Sequence, residues 1–286
     1  MNNNLSPKIG ILLSQINGTA LTEKCLDSIN KSKYNNLSIY IGDNFSDNLE
    51  VLLLSEKFPD ANIYIYKKRL SYCETFNYLA EKAIKDGCEY IFVVNNDTKD
   101  FSINFFEEAI FSFSDPLVGM VGTQSFDYDG NVRHSFGTLK NKLGESVVIP
   151  TSGFFVRSLT WNNVGGFNEK LKMYGEDLKL IRDVNKNGWK IINNSNVSFS
   201  HLGEATIKNF PYTKIFLRTR NGLWLLKSFD ISFNDKVKFF YKWIKPTIKK
   251  IILSSDKKLI FTIKSIFVFF CCNTFRDICK EIKLKI

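Results

Sequence analysis

A chain of 286 residues is long enough to bury a substantial core, as one large domain or as a domain with a tail. Its 44% apolar and 24% charged residues are ordinary for a soluble globular protein and exclude a disordered chain, although 26 phenylalanines are many. The net charge of +10 is uneven: residues 235–286 hold 13 Lys and Arg against 4 Asp and Glu, which leaves about +1 for residues 1–234. That excludes a protein basic throughout and gives no ground for a nucleic-acid partner. It directs the tail alone to an anionic surface. The six cysteines show no C-x-x-C spacing, and the N-terminus is polar and Asn-rich up to Ile9. Neither fits a secretory signal or a disulfide framework, so reduced thiols in a cytoplasmic protein are expected.

Residues 8–14 form a short run that is apolar on both faces, as in a buried parallel strand. A helix follows from Thr22, with Leu21, Cys25, Leu26 and Ile29 at core spacing. A strand is predicted at 37–41, a helix at 49–58, a strand at 62–66, a helix at 73–85 and a strand at 90–94. This alternation implies βαβ units, a mainly parallel sheet and ligands at the carboxyl ends of the strands. Beyond Asp100 it weakens. Residues 101–114 read as a helix, and 118–126 with 132–138 flank a hairpin turn at Asp127-Tyr128-Asp129-Gly130. A strand-like run spans 147–157, a helix 158–164 stops at Gly165-Gly166, and a helix over 176–187 stops at Gly188. A strand over 191–200 precedes a helical remainder. On this pattern the chain divides into residues 1–100, residues 101–234 and a basic helical tail over 235–286.

Asn95-Asn96-Asp97-Thr98 stands directly behind the apolar run Tyr90-Ile91-Phe92-Val93-Val94. A strand that ends by raising a carboxylate into a polar loop suits a hard divalent cation, which prefers oxygen ligands and keeps phosphates and water in its shell. Three further polar clusters fall at strand ends or before a helix: Gln15-Ile16-Asn17-Gly18, Asp43-Asn44 and Glu176-Asp177. Each alone also suits a turn or a helix start. Together they converge on one crevice.

These residues resemble family 2 glycosyltransferases of the inverting GT-A type, nearest to the bacterial rhamnosyltransferase-like members, over about residues 8–225. Residues 11–29 are similar to that family's first strand and helix. Residues 41–47 resemble its V-D-N-x-S-x-D loop, which implies that Asp43 contacts a nucleotide base. Residues 94–98 resemble its metal-binding segment and imply Asp97 as a ligand of Mn²⁺ or Mg²⁺. Gly165-Gly166-Phe167-Asn168-Glu169 with Tyr174-Gly175-Glu176-Asp177 resembles the G-G-F-D-E … E-D segment, implying Asp177 as catalytic base. His201 falls where many members place a metal- or phosphate-contacting histidine, and Arg220-Asn221 resembles a later R-N pair. The chain departs from the pattern at Arg69-Leu70-Ser71-Tyr72, where the family has N-x-G-F, at Lys179 and at Ala205.

The resemblance implies an α/β fold of GT-A type, a mixed and mainly parallel sheet flanked by helices, with a helical C-terminal extension. It implies transfer of a sugar from a nucleoside diphosphate-sugar donor to a saccharide or lipid-linked saccharide acceptor, as in surface polysaccharide synthesis. Such chemistry needs a stabilised leaving diphosphate, a base for the acceptor hydroxyl and a donor held in line. Asp97 and His201 serve the metal, Asp177 the proton, and Glu176 orients the acceptor. Gln15, Asn17, Asp43, Asn44 and Asn96 are donor-site candidates, and Gly153, Trp161 and Tyr174 acceptor-site candidates. Trp161, Trp189 and Trp224 also suit packing, and His134 suits a solvated hairpin. A sugar nucleotidyltransferase is a rival reading, although Gln15-Ile16-Asn17-Gly18 is a poor substitute for its Gly-rich loop. An inactive sugar-nucleotide binder is another.

In the tail, Val237, Phe240, Tyr241 and Ile244 share one helical face, with Lys238, Lys242, Lys245 and Lys249 elsewhere, and Pro246 should kink or end the helix. The apolar run 259–272 is interrupted by Lys264 and is shorter than the roughly 20 residues a spanning helix needs. It either lies flat on an anionic membrane surface, at the inner face of the cell membrane, or packs on the catalytic domain.

Overall fold

A computed structural model of the chain describes residues 6–133, 138–140, 146–148, 152–203, 211–228, 232–239, 241 and 245. His134, Ala205 and the apolar run 259–272 lie outside the described residues, as does most of the basic tail. The chain divides into two compact units, one of Met1–Glu169 with Glu176–Thr206, the other of Lys170–Gly175 with Ile207–Ile286.

In chain order the first unit contains β1 (Ile9–Gln15), α1 (Thr19–Ile29), β2 (Leu37–Asp43), α2 (Asn48–Lys57), β3 (Asn62–Ile65), α3 (Tyr72–Lys85), β4 (Tyr90–Val94) and β5 (Thr98–Lys99). It continues with α4 (Phe105–Phe111), β6 (Val118–Phe126), β7 (Val132–Arg133), β8 (Thr138–Lys140), β9 (Ser146–Val148) and β10 (Gly153–Arg157). It closes with α5 (Ser158–Val164), α6 (Glu176–Lys186) and β11 (Lys190–His201). Among the described residues, nine strands form one sheet in the order β3-β2-β1-β4-β10-β6-β11-β5, with β7 on β6. Neighbours β3, β2, β1 and β4 are parallel, as are β6 and β11, while β10 runs antiparallel to both β4 and β6. The carboxyl ends of β1, β2, β4, β6 and β11 therefore share one edge.

Alternating residues explain the layers. All five residues of β4 are buried, as the doubly apolar run requires. Ile9, Ile11 and Leu13 of β1 join Phe92 and Val94 of β4 in one apolar cluster. The many phenylalanines are concentrated there: Phe92 stacks on Phe155 at 4.4 Å, and Phe105 meets Phe92, Phe101 and Phe106 edge-on at 4.9–5.2 Å. Cys25, Cys73 and Cys88 are buried and free.

One predicted element differs in extent. The helix expected over 101–114 shortens to α4, because Ser102 bonds outward to the backbone of β11: its N–H donates to Ser198 O (2.9 Å) and its Oγ to Asn196 O (2.7 Å). The strand-like run expected within 147–157, around Ser152-Gly153-Phe154-Phe155, forms β10. The hairpin forms, closed by Asp127 N donating to Asn131 O (2.8 Å), and among the described residues β7 pairs Ser125 with Arg133 and Phe126 with Val132. Short β5 was not expected at all. It pairs antiparallel with the end of β11, Thr98 opposite His201 and Lys99 opposite Ser200.

The second unit contains α7 (Pro211–Ser228) and α8 (Phe233–Phe239). Within it α7 holds residues 170–174. Asn221 Nδ2 reaches the carbonyls of Leu171, Met173 and Tyr174 at 2.6–2.8 Å, and Arg220 Nη2 donates to Leu171 O at 2.8 Å. Among the described residues no helix is long and apolar enough to cross a membrane.

Candidate active site

The first two polar clusters meet because of strand register. Gln15 and Asp43 are opposite each other in the β1–β2 ladder, so their side chains leave the same face side by side. Gln15 Nε2 donates to Asp43 Oδ2 (2.8 Å), and Thr22 Oγ donates to Gln15 Oε1 (2.9 Å). Asp43 Oδ1 accepts from Ser46 N (2.9 Å). Asp43 is wholly buried with both oxygens engaged, which is how a buried carboxylate escapes the cost of desolvation. Asn44 clamps the loop before α3, its Nδ2 donating to Leu70 O and its Oδ1 accepting from Leu70 N, both at 2.7 Å. Asn17 does the same to the β2–α2 loop: its Oδ1 accepts from Asp47 N, and its N–H donates to Ser46 Oγ, each at 2.8 Å.

That loop carries a strained residue. Phe45 sits between Asn44 and Ser46 at φ 67°, a left-handed conformation that costs a bulky L-residue about 1–2 kcal/mol. Its side chain is 54% exposed. Asn17 is also left-handed, at φ 44°, which asparagine tolerates.

The third cluster is placed by β5. Pairing Thr98 with His201 brings the preceding Asp97 against the residues after β11. Leu202 N donates to Asp97 O (2.9 Å) and Gly203 N to Asp97 Oδ2 (3.0 Å). His201 Nε2 lies 3.0 Å from Asp97 Oδ1. That is ion-pair distance, yet the imidazole nitrogen makes no aligned hydrogen bond there or to any other described residue. Both side chains are mostly buried. Asn96 turns away and donates from Nδ2 to Thr22 Oγ (3.1 Å), which joins this loop to Gln15.

Glu176 and Asp177 open α6, buried in its first turn. Tyr72, the first residue of α3, gathers these groups. Its hydroxyl donates to Asn95 Oδ1 at 3.4 Å. Burial pushes its phenol well above the usual range, and the nearby carboxylates of Glu176, Asp177 and Asp97 raise it further. Tyr72 therefore stays a proton donor among acceptor-only carboxylates at any physiological pH. Sequence reading singled out its loop only for a missing glycine. The usable signal was the Ser71…Glu74 capping box, which fixes the start of α3 at Tyr72.

The structure thus gathers Gln15, Asn17, Asp43, Asn44, Asn96, Asp97 and His201 along the carboxyl edge, while Glu176 and Asp177 lie buried in the first turn of α6. Two acceptor-side candidates lie in packed interior instead. A Cβ on Gly153 would come within 2.8 Å of the Phe199 ring, so this glycine serves close packing. Trp161 is buried edge-on against Phe167 at 5.1 Å. The third, Tyr174, belongs to the second unit, where its carbonyl accepts from Asn221. The Gly165-Gly166-Phe167 segment is also supporting structure: Gly165 caps α5 at φ 77°, and Asn77 holds Phe167 by both N–H and C=O.

No protein-family model matches the chain. The O-antigen biosynthesis protein RfbC of Myxococcus xanthus is 20% identical over 229 residues, covering 70% of this chain and 18% of RfbC. The chain thus spans less than a fifth of the length of the curated relative it matches. Among solved structures, the mannosyltransferase PcManGT from Pyrobaculum calidifontis, in complex with GDP-Man and Mn²⁺, is similar at TM-score 0.59 and 14% identity, over 96% of this chain and 85% of that one. S. aureus TarS 1-349 is similar at TM-score 0.66 and 13% identity, over 92% of this chain and 80% of that one. Its complex with UDP-GlcNAc matches at 0.65 and 14%, over 92% and 81%. At these identities the likeness defines the fold, which is α/β of the GT-A type with a mixed, mainly parallel sheet.

The Asn44 clamp gives a direct check. Asn44→Ala leaves Leu70 N and O without their partner and should lower unfolding stability by about 1–3 kcal/mol in urea titration. Asn44→Asp sets a carboxylate oxygen against Leu70 O in place of the donating Nδ2 and should destabilise at least as much.

Proposed function

We propose that the chain is a metal-dependent inverting glycosyltransferase, moving one sugar from a nucleoside diphosphate-sugar to a saccharide acceptor. The observation that carries this reading is the Asp97–His201 contact at the carboxyl edge of a GT-A sheet. A hard carboxylate oxygen and an imidazole nitrogen, mostly buried, 3.0 Å apart and not joined by an aligned hydrogen bond, fit a shared divalent ion such as Mn²⁺ or Mg²⁺. Among the described residues no group of three or more His, Cys, Asp or Glu side chains stands ready to hold a metal. A site with two protein ligands suits a cation whose other ligands are diphosphate oxygens and water. Bound there, such an ion supplies Lewis-acid stabilisation of the leaving diphosphate.

The other steps fall to the chain's own groups. Asp177, at the start of α6, accepts the proton of the attacking acceptor hydroxyl, and Glu176 orients that hydroxyl. Gln15, Asn17, Asp43, Asn44 and Asn96 shape the donor site through the network that ties the strand ends together. Tyr72 donates to Asn95 Oδ1 at the start of the loop that carries Asp97, holding that loop against α3. The similarity to an O-antigen biosynthesis protein supports an acceptor in surface polysaccharide synthesis, which in this proposal is lipid-linked and met at the inner face of the membrane. The net +9 of residues 235–286 supports that placement.

Asp97→Ala should abolish metal-dependent binding of nucleoside diphosphates in calorimetry, and unchanged affinity would remove Asp97 from the metal site. Asp177→Asn should leave donor binding near native while transfer falls by about 10²–10⁴-fold. Transfer at the native rate would require another base. The full chain should sediment with vesicles containing anionic phospholipid and be released by raised salt. Equal binding to neutral vesicles would contradict the electrostatic role of the tail.

A further inference from the structure

Asp43, the acidic residue aligned with base recognition, is wholly buried, and both its oxygens are bonded within the protein. What the same loop presents outward is Phe45, two residues further on. The ring is 54% exposed, and its backbone is held at φ 67° although phenylalanine disfavours that region. The conformation is enforced from both sides. Asn44 N donates to Gln15 O and the Asn44 side chain clamps Leu70, while Ser46 N is bonded to Asp43 and Ser46 Oγ to Asn17 N. Strain held in place by a fully bonded loop at a candidate site is a mark of function. A purely structural left-handed turn would be served better by glycine or asparagine.

We propose that Phe45 is the platform on which the heteroaromatic base of a nucleoside diphosphate stacks. The inference rests on the donor reading above and assigns its base contact to a residue that the motif leaves unspecified. An exposed apolar ring on a bonded loop at the carboxyl edge, next in chain to Asn44 and two residues beyond Asp43, offers the π-face on which a nucleobase stacks. Stacking of this kind holds the base without choosing strongly among bases. A competing use for Phe45 is an apolar contact surface with the exposed Leu49, Leu52 and Leu53 of α2. That use would not call for a strained backbone.

The test is Phe45→Gly, in which backbone relief and ring loss act in opposite directions. Its melting temperature should be native or higher, since glycine accepts φ 67° freely. Its Kd for UDP, GDP or dTDP with Mn²⁺, whichever the native chain binds, should rise about 5- to 100-fold. Phe45→Tyr should keep native affinity, and binding of inorganic pyrophosphate with Mn²⁺ should be unchanged in both variants. Native nucleotide affinity in Phe45→Gly would overturn the proposal, leave the transferase reading intact and assign Phe45 to the apolar surface of α2. Equal loss of pyrophosphate and nucleotide binding would also overturn it, tracing the effect to the loop and not to the ring. A native chain that binds none of the nucleotides or pyrophosphate with Mn²⁺ would instead defeat the transferase reading itself.

Discussion

A two-residue ladder sets the geometry of the carboxyl edge. Thr98 and Lys99 pair with His201 and Ser200, and that pairing turns the loop after β4 back against the end of β11. Asp97, one residue before the ladder, then meets Leu202 N with its carbonyl and Gly203 N with its carboxylate, and faces His201 across 3.0 Å. Two residues about 100 apart in sequence are brought side by side by this register. The buried Asp97 carboxylate accepts from the Gly203 N–H, which offsets part of its desolvation cost.

The rest of the carboxyl edge is arranged around the same principle of satisfied polar groups. Gln15 links Asp43 to Thr22, Thr22 receives Asn96, and Asn96 precedes Asp97, so three strand ends are joined through side chains. Asn44 and Asn17 fasten the loops beyond them. Each bond adds only about 0.5–1.5 kcal/mol, but together they remove freedom from the residues of the carboxyl edge. Within the second unit, Arg220 and Asn221 collect the carbonyls of residues 170–174, the peptide that leads by chain continuity to Glu176-Asp177.

Much of this was legible in the sequence where periodicity and length were adequate. The βαβ alternation over residues 8–94 follows from runs of apolar residues that have one stable arrangement, and the order β3-β2-β1-β4 realises it. Asp97 was legible from its place after β4. Strand β5 was not, because Thr98-Lys99 is polar, too short to show alternation, and is a strand only through its partner. Residues 101–104 carried a helical pattern that Ser102 overrode by bonding to β11. The role of Arg220-Asn221 was hidden because its partners are backbone carbonyls, which leave no trace in side-chain identity. Phe45 was hidden for the opposite reason: its conformation contradicts its residue type, and only the bonded loop enforces it.

The central claim is that Asp97 and His201 jointly hold the cation that carries the diphosphate. Pulsed electron paramagnetic resonance of Mn²⁺ bound to the native chain with a nucleoside diphosphate addresses it directly. The account predicts nitrogen modulation from a coordinated imidazole, lost in His201→Ala. Mn²⁺ and diphosphate bound without nitrogen coupling, or with coupling that survives His201→Ala, would contradict it.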